Sequence, residues 1–223
     1  MRAEDFKPRN RLQAAKQVIR DFIKNRKNDR LGLVVFASQS YTQCPLTLDY
    51  GVLLEFLNQV KIGMIEDGTA IGMAIANCVN RLRESAAKSK VIILLTDGEN
   101  NAGEIDPITA AKAAAAMKVK IYTIGAGRRG GAPIPFYHPL FGKMYYKNPD
   151  GSLYLTKIDE ETLKQIAQLT GGKYYRATNT EKLREIYEEI GQLEKTKIKT
   201  KEYMSYDEKF SIFVFLALRD YFR

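Results

Sequence analysis

Val91-Ile92-Ile93-Leu94-Leu95-Thr96-Asp97-Gly98-Glu99-Asn100-Asn101 is the stretch around which the chain is organised. Five consecutive apolar residues followed at once by Thr-Asp-Gly read as a β-strand covered on both faces, ending in a sharp polar turn. In an open parallel α/β sheet the carboxyl ends of the strands are where ligands bind, because the loops diverge there. Asp97 is therefore expected on the lip of such a crevice, at the tip of a central strand.

The flanking sequence alternates helix and strand. Upstream, Leu12, Ala15, Val18, Ile19, Phe22 and Ile23 recur at helical spacing, with Pro8 suited to the first turn, and Leu31 to Ala37 reads as a strand. Asp49 is placed to cap a helix carrying Val52, Leu53, Phe56, Leu57 and Val60 inward. Glu66-Asp67-Gly68-Thr69-Ala70-Ile71-Gly72 is a polar turn opening a helix with Ile71, Ile75, Val79 and Leu82 on one face. Downstream come a helix from Pro107 to Met117, a strand from Val119 to Ile124, a helix from Asp159 to Leu169, a Gly171-Gly172 stop, a strand from Lys173 to Arg176, and a helix from Thr180 to about Leu193. This order predicts an α/β, Rossmann-like, open and mostly parallel sheet with helices on both faces. Residues 128–157 break the rhythm. There Asn148-Pro149-Asp150-Gly151, between Met144-Tyr145-Tyr146 and Leu153-Tyr154-Leu155, predicts a small inserted β-hairpin.

Composition narrows the function. The 223 residues are 45% hydrophobic, enough for one substantial core. The net charge of +9 comes from 35 basic residues interleaved with 26 acidic ones, as in Glu181-Lys182-Leu183-Arg184-Glu185. That pattern is a solvated helix face, and without interleaved aromatics it does not describe a nucleic-acid surface. Cys44 and Cys78 form neither a disulfide framework nor a C-x-x-C pair and read as small buried side chains. His138 is the one histidine, which excludes multi-histidine metal sites, and nothing brings it to Cys44 as a nucleophile pair.

Gly125-Ala126-Gly127-Arg128-Arg129-Gly130 matches G-x-G-x-x-G after a strand. That fingerprint needs a helix whose N-terminus receives the pyrophosphate, and Gly131-Ala132-Pro133-Ile134-Pro135 cannot open one. The segment reads as a loop leading to the hairpin.

Leu94-Leu95-Thr96-Asp97-Gly98-Glu99, Asp67-Gly68-Thr69 before a helix, and Ile121-Tyr122-Thr123-Ile124-Gly125 together resemble the von Willebrand factor type A domain, over about residues 1–194. Arg11-Leu12-Gln13-Ala14-Ala15-Lys16 and Leu31-Gly32-Leu33-Val34-Val35-Phe36 fit the same family. More narrowly, Ala3-Glu4-Asp5-Phe6, Thr170-Gly171-Gly172-Lys173-Tyr174-Tyr175-Arg176-Ala177 and Ile186-Tyr187-Glu188-Glu189-Ile190 resemble the bacterial Bat proteins. These are aerotolerance-related, membrane-anchored, and encoded beside MoxR-type AAA+ ATPases.

The resemblance implies a protein-interaction module rather than an enzyme, with a metal-ion-dependent adhesion site for Mg²⁺, or Mn²⁺ or Ca²⁺. Thr69 would supply a hydroxyl and Asp97 a carboxylate, while Gly68 and Gly98 let backbone approach closely. A partner protein's acidic side chain would complete the shell of a hard, oxygen-seeking cation. Read singly, Thr69 is a helix cap and Asp97 a turn-former. The implied partners are other Bat proteins or a MoxR-type ATPase, at a bacterial inner membrane, with the domain on the periplasmic side.

One part of the family pattern is missing. The D-x-S-x-S cluster, at the end of a buried strand before the first helix, does not occur. The expectation is a chain cut at its N-terminus, lacking that central strand and most metal ligands, with metal binding weak or absent and a complete site in the longer parent. At the other end, a basic connector over 195–209 precedes Phe210 to Leu218, an apolar run too short for a span of about 20 residues. It reads as the stub of a membrane helix within 210–223, or a surface-lying anchor. The rival reading is a Mg²⁺-dependent phosphoryl-transfer enzyme of doubly wound fold with Asp97 as ligand. It would need a second acidic cluster on an adjacent strand end and a base, and the sequence offers neither.

Overall fold

The structure, a computed structural model, describes residues 1–7, 10–87 and 89–202. Pro8 and the apolar run Phe210–Leu218 lie outside the described residues. Two units are distinguished, Met1–Ile190 and Gly191–Arg223, and the sheets and both main cores belong to the first.

The centre of that unit is a parallel sheet of β3 (Lys90–Thr96), β4 (Val119–Ala126) and β7 (Tyr174–Ala177), in the order β3-β4-β7. Register runs from Lys90 opposite Val119 to Thr96 opposite Gly125. Successive side chains of β3 point to opposite faces, and each face meets its own helices. Ile92 and Leu94 enter a core with α3 (Ile71–Arg83), α4 (Pro107–Ala116) and α5 (Glu160–Leu169), built on Ile71, Ile75, Ala111, Ala114, Leu163 and Ile166. Val91, Ile93 and Leu95 pack partly buried against the other core, where α1 (Arg11–Lys24) and α6 (Thr180–Glu202) contribute Ala14, Val18, Leu183, Ile186 and Ile190. The α/β fold with helices on both faces is therefore as expected.

Local signals set the helix boundaries. The side chains of Asn10, Asp49, Asp106 and Asp159 accept the exposed amides that open α1, α2 (Tyr50–Gln59), α4 and α5. After α5 the chain turns through Gly171 at φ 70°, and a Cβ on Gly172 would stand 1.9 Å from the Ile121 carbonyl oxygen. Only glycine fits where that turn crosses β4.

Several expectations need correction. β1 (Leu31–Phe36) is not part of the parallel sheet: it pairs antiparallel with β2 (Ser40–Thr47), a strand the polar run Ser40 to Gln43 and Pro45 had hidden. β3 is not central, since among the described residues it pairs with β4 alone. Val52 on α2 is exposed, whereas Leu53 and Leu57 face inward against Ile23 and Cys44. Helix α1 begins at Arg11, where Asn10 supplies the cap. Helix α6 continues past Leu193 to Glu202, since that polar sequence contains no breaker. Of the cysteines, Cys44 is buried and Cys78 only partly so.

The insertion is folded differently from the expected hairpin. Its main ladder joins β5 (Pro135–His138) to β6 (Gly142–Tyr145), antiparallel, around Pro139-Leu140-Phe141. Leu140 and Phe141 at that turn are 85% and 74% exposed. The predicted turn at Asn148-Pro149-Asp150-Gly151 does close, but over one bridge, Lys147 to Leu153, with Tyr154 N donating to Tyr146 O at 2.8 Å. Among the described residues no helix is long and apolar enough to cross a membrane.

Candidate functional site

The carboxyl end of β3 meets the amino end of α3 at one rim. Thr96 is buried, and its hydroxyl accepts from Gly98 N at 3.3 Å, which folds the chain sharply after Asp97. A Cβ on Gly98 would lie 2.7 Å from Thr69 Oγ1, so the missing side chain lets the Thr69 hydroxyl rest against the turn that carries Asp97. Gly68, at φ 156°, passes Ser38 so closely that a Cβ would stand 2.9 Å from the Ser38 Cα. Thr69 and Asp97 line the same cavity.

Thr69 does not cap α3. The cap position is Ala70, without a side-chain hydrogen bond, and the loop after β3 does the capping. Asn100 Oδ1 accepts from Ile71 N and Asn101 Oδ1 from Thr69 N, both at 2.8 Å, while Asn101 N donates to Thr69 O at 3.1 Å. Ala70 N donates to Ala37 O at 2.7 Å, tying the same turn to the end of β1. Thr69 is therefore held from two sides.

Sequence reasoning gave no role to Arg11, which dominates the electrostatics. Its side chain is fully buried and grips Asp5 with two parallel bonds, Nε to Oδ1 at 2.7 Å and Nη2 to Oδ2 at 2.8 Å. Nη1 donates to Asp97 Oδ2 at 3.1 Å and Nη2 to Thr156 Oγ1 at 3.1 Å. Gly127 makes room, since a Cβ there would fall 2.6 Å from Arg11 Nη2. The glycine-rich run after β4 thus accommodates a guanidinium rather than a phosphate. Burial pushes the Asp5 carboxyl up, but the Arg11 hydrogen bonds and charge, with the Arg128 amide, outweigh it and hold it below the ordinary 3.8. Burial likewise opposes the charge on Arg11, and Asp5 and Asp97 overcome that and raise its pKa. One signal could have found Arg11: it shares the buried stripe of α1 with Ala14, Ala15 and Val18, a place where a charge requires a partner.

The Met1 ammonium also pairs with Asp97 Oδ2. A cation here would have the Thr69 hydroxyl and the Asp97 carboxylate as donors, against the Arg11 guanidinium already on that carboxylate. Among the described residues there is no group of three acidic, histidine or cysteine side chains able to hold a metal. Among the described residues, one hydroxyl and one carboxylate already bonded to Arg11 do not fit a resident divalent cation.

A parallel sheet between two helical layers, with the Thr69 hydroxyl against the turn that carries Asp97, is consistent with a von Willebrand factor type A domain. Residues 1–189 match that family, and the chain belongs to it. Within the family it is similar to BatB of Bacteroides thetaiotaomicron, at 34% identity and a TM-score of 0.75, over 87% of this chain and 93% of that one. It is similar also to an aerotolerance-related membrane protein of Bacteroides fragilis, at 31% identity and a TM-score of 0.74, over 86% and 91%. An uncharacterised protein of Borreliella burgdorferi is 33% identical over 78% of this chain and 50% of its own length. The chain spans about half the length of the curated relatives it matches.

Proposed function

We propose that this chain is the protein-interaction module of a membrane-anchored bacterial Bat-like protein, and that it catalyses no reaction itself. The observation that carries this reading is the rim at which the Thr69 hydroxyl meets the turn bearing Asp97 across Gly98. The similarity to BatB and to an aerotolerance-related membrane protein supports the Bat assignment and the membrane setting. The parent would lie in the inner membrane with this domain in the periplasm, engaging other Bat proteins or a MoxR-type ATPase through an acidic side chain.

Metal dependence belongs to the full-length parent. Mg²⁺ seeks six oxygens in near-ideal geometry, and this chain offers a hydroxyl and one carboxylate already claimed by Arg11. No step of recognition is assigned to a cation here. Titrating MgCl₂ into the chain by calorimetry is expected to give no saturable binding, and a submillimolar dissociation constant would contradict the reading.

The interaction itself is tested with the full-length parent and an immobilised MoxR-type ATPase from the same genome. Capture that needs Mg²⁺ and is lost with Asp97→Ala supports the module. Capture indifferent to both, or robust Mg²⁺-dependent phosphatase turnover abolished by Asp97→Ala, overturns it in favour of a different surface or an enzyme.

A further inference from the structure

The insertion ends in a tip that the rest of the fold leaves uncovered. Pro139, Leu140 and Phe141 form the turn between β5 and β6, beyond the last pair of the ladder, His138 with Gly142. Leu140, Phe141 and the neighbouring Tyr137 are the most exposed large apolar side chains among the described residues. Tyr145, Tyr146 and Tyr154 of the same insertion are exposed as well. Apolar surface gathered in this way marks a contact that folding alone does not make.

We propose that this tip inserts into the interface of an anionic phospholipid bilayer. Leu140 and Phe141 enter the acyl region, the tyrosines lie at headgroup depth, and the flanking cations meet the phosphates. Three observations favour lipid over a protein surface. The first is the backbone. A turn that enters hydrocarbon must satisfy its amides internally, because no water reaches them there. Pro139 has no amide hydrogen, and the amides of Leu140 and Phe141 donate to His138 Nδ1 at 3.2 and 3.4 Å. Every amide of the turn is thus accounted for within the hairpin. The His138 ring also lies against Phe141, 4.9 Å between centroids, and steadies the apolar tip.

The second is charge. Residues 128–157 carry five basic side chains, Arg128, Arg129, Lys143, Lys147 and Lys157, against one acid, Asp150. All five are exposed, and Asp150 is engaged by Ser152. Lys143 pairs with Glu4, so the other four carry the attraction to lipid phosphates. The third is layering. Tyr137, Lys143 and Tyr145 share one face of the ladder, with the Lys143 ammonium 5.6 Å from the centre of the Tyr145 ring. Amphipathic rings favour headgroup depth, and a lysine stem beside them covers apolar surface while its charge stays at water. Away from the tip, apolar side chains give way to tyrosines and then to cations, in the order of acyl chains, interface and phosphates. This goes beyond the rim site and needs neither a divalent cation nor the Asp97 carboxylate.

The sequence has no tryptophan, so Phe141→Trp in the whole chain puts a fluorophore at the tip alone. The probe is a vesicle of phosphatidylcholine and phosphatidylglycerol in equal parts, titrated with EDTA present, and a vesicle of phosphatidylcholine alone is the comparison. The expected result is a blue shift of the indole emission and its quenching by bromine carried on the acyl chains. Neutral vesicles should need at least about fivefold more lipid to reach the same signal. Leu140→Ser beside the indole should raise the lipid required by at least about tenfold, and Lys147→Gln by about fivefold. Sedimentation of the chain with vesicles while the indole stays unquenched would place the contact on another segment and overturn the proposal. So would equal titrations with neutral and anionic lipid, or an unchanged titration in Leu140→Ser. No association with either vesicle would also overturn it and assign the tip to a protein partner. Since the vesicles hold no protein and EDTA removes divalent cations, these failures are distinguishable from failure of the proposed interaction with an acidic partner.

Discussion

Arg11 Nη1 donates a 3.1 Å hydrogen bond to Asp97 Oδ2, joining the first residue of α1 to the turn at the end of β3. The same guanidinium holds Asp5 and Thr156, so one buried cation fixes the N-terminal segment, the sheet edge and the insertion together.

Arg11→Met keeps most of the apolar stem and deletes the charge, leaving Asp5 buried without its partner. Breaking a buried pair in this way costs about 3–5 kcal/mol, to be read as a lower urea midpoint. Arg11→Lys should recover only part of it, because an ammonium cannot form the paired bonds to Asp5. Wild-type stability in the methionine variant would show that the cluster contributes nothing net.

Asp5 makes folding sensitive to acid. Its pKa is lower in the folded chain than the ordinary 3.8, so the folded state binds fewer protons and is favoured above that value. The stabilisation is complete well above pH 3.8 and is lost as pH falls below 3.8 and through the folded value. Denaturation followed from pH 7 downward should show this loss, and Asp5→Asn should flatten it. An unchanged pH profile in Asp5→Asn would place the acid sensitivity elsewhere.

Gly98→Ala places a methyl group 2.7 Å from Thr69 Oγ1. Overpacking of this kind costs about 1–3 kcal/mol. Adding Thr69→Ala removes the obstructing hydroxyl and should restore most of the loss, so the two substitutions couple in a thermodynamic cycle. Additive losses would mean that Thr69 and Gly98 do not press on each other in solution.

Asn100→Ala removes the acceptor for Ile71 N at the start of α3. Loss of a side-chain cap costs about 0.5–2 kcal/mol. Amide exchange at Ile71 should accelerate before exchange in the middle of α3 does. Unchanged protection at Ile71 would show that water replaces the cap at no cost.

Much of this architecture is legible in residue order, and the failures are instructive. Val91 to Leu95 announces a strand covered on both faces because its apolar residues are unbroken, and Asp49, Asp106 and Asp159 announce helix starts because a capping carboxylate acts locally. β2 is hidden because pairing with β1 is a tertiary event, and Pro45 and the polar residues beside it argue locally against a strand. Asn100 and Asn101 stand in the very stretch that fixes the fold, yet the amides they accept from lie about 30 residues earlier in the chain, beyond any local pattern. Arg11 is the sharpest omission: its position on a buried helical stripe calls for an acid, but which acid is decided only by the packing of three separate segments.

Leu140 and Phe141 ride on the turn between β5 and β6 with most of their surface in water. Side chains that touch so little add almost nothing to the folding equilibrium, but they govern how the protein behaves in crowded solution, where apolar surface is the first thing to be salted out. Converting both to serine should leave the melting temperature where it was and raise the ammonium sulfate concentration needed for precipitation.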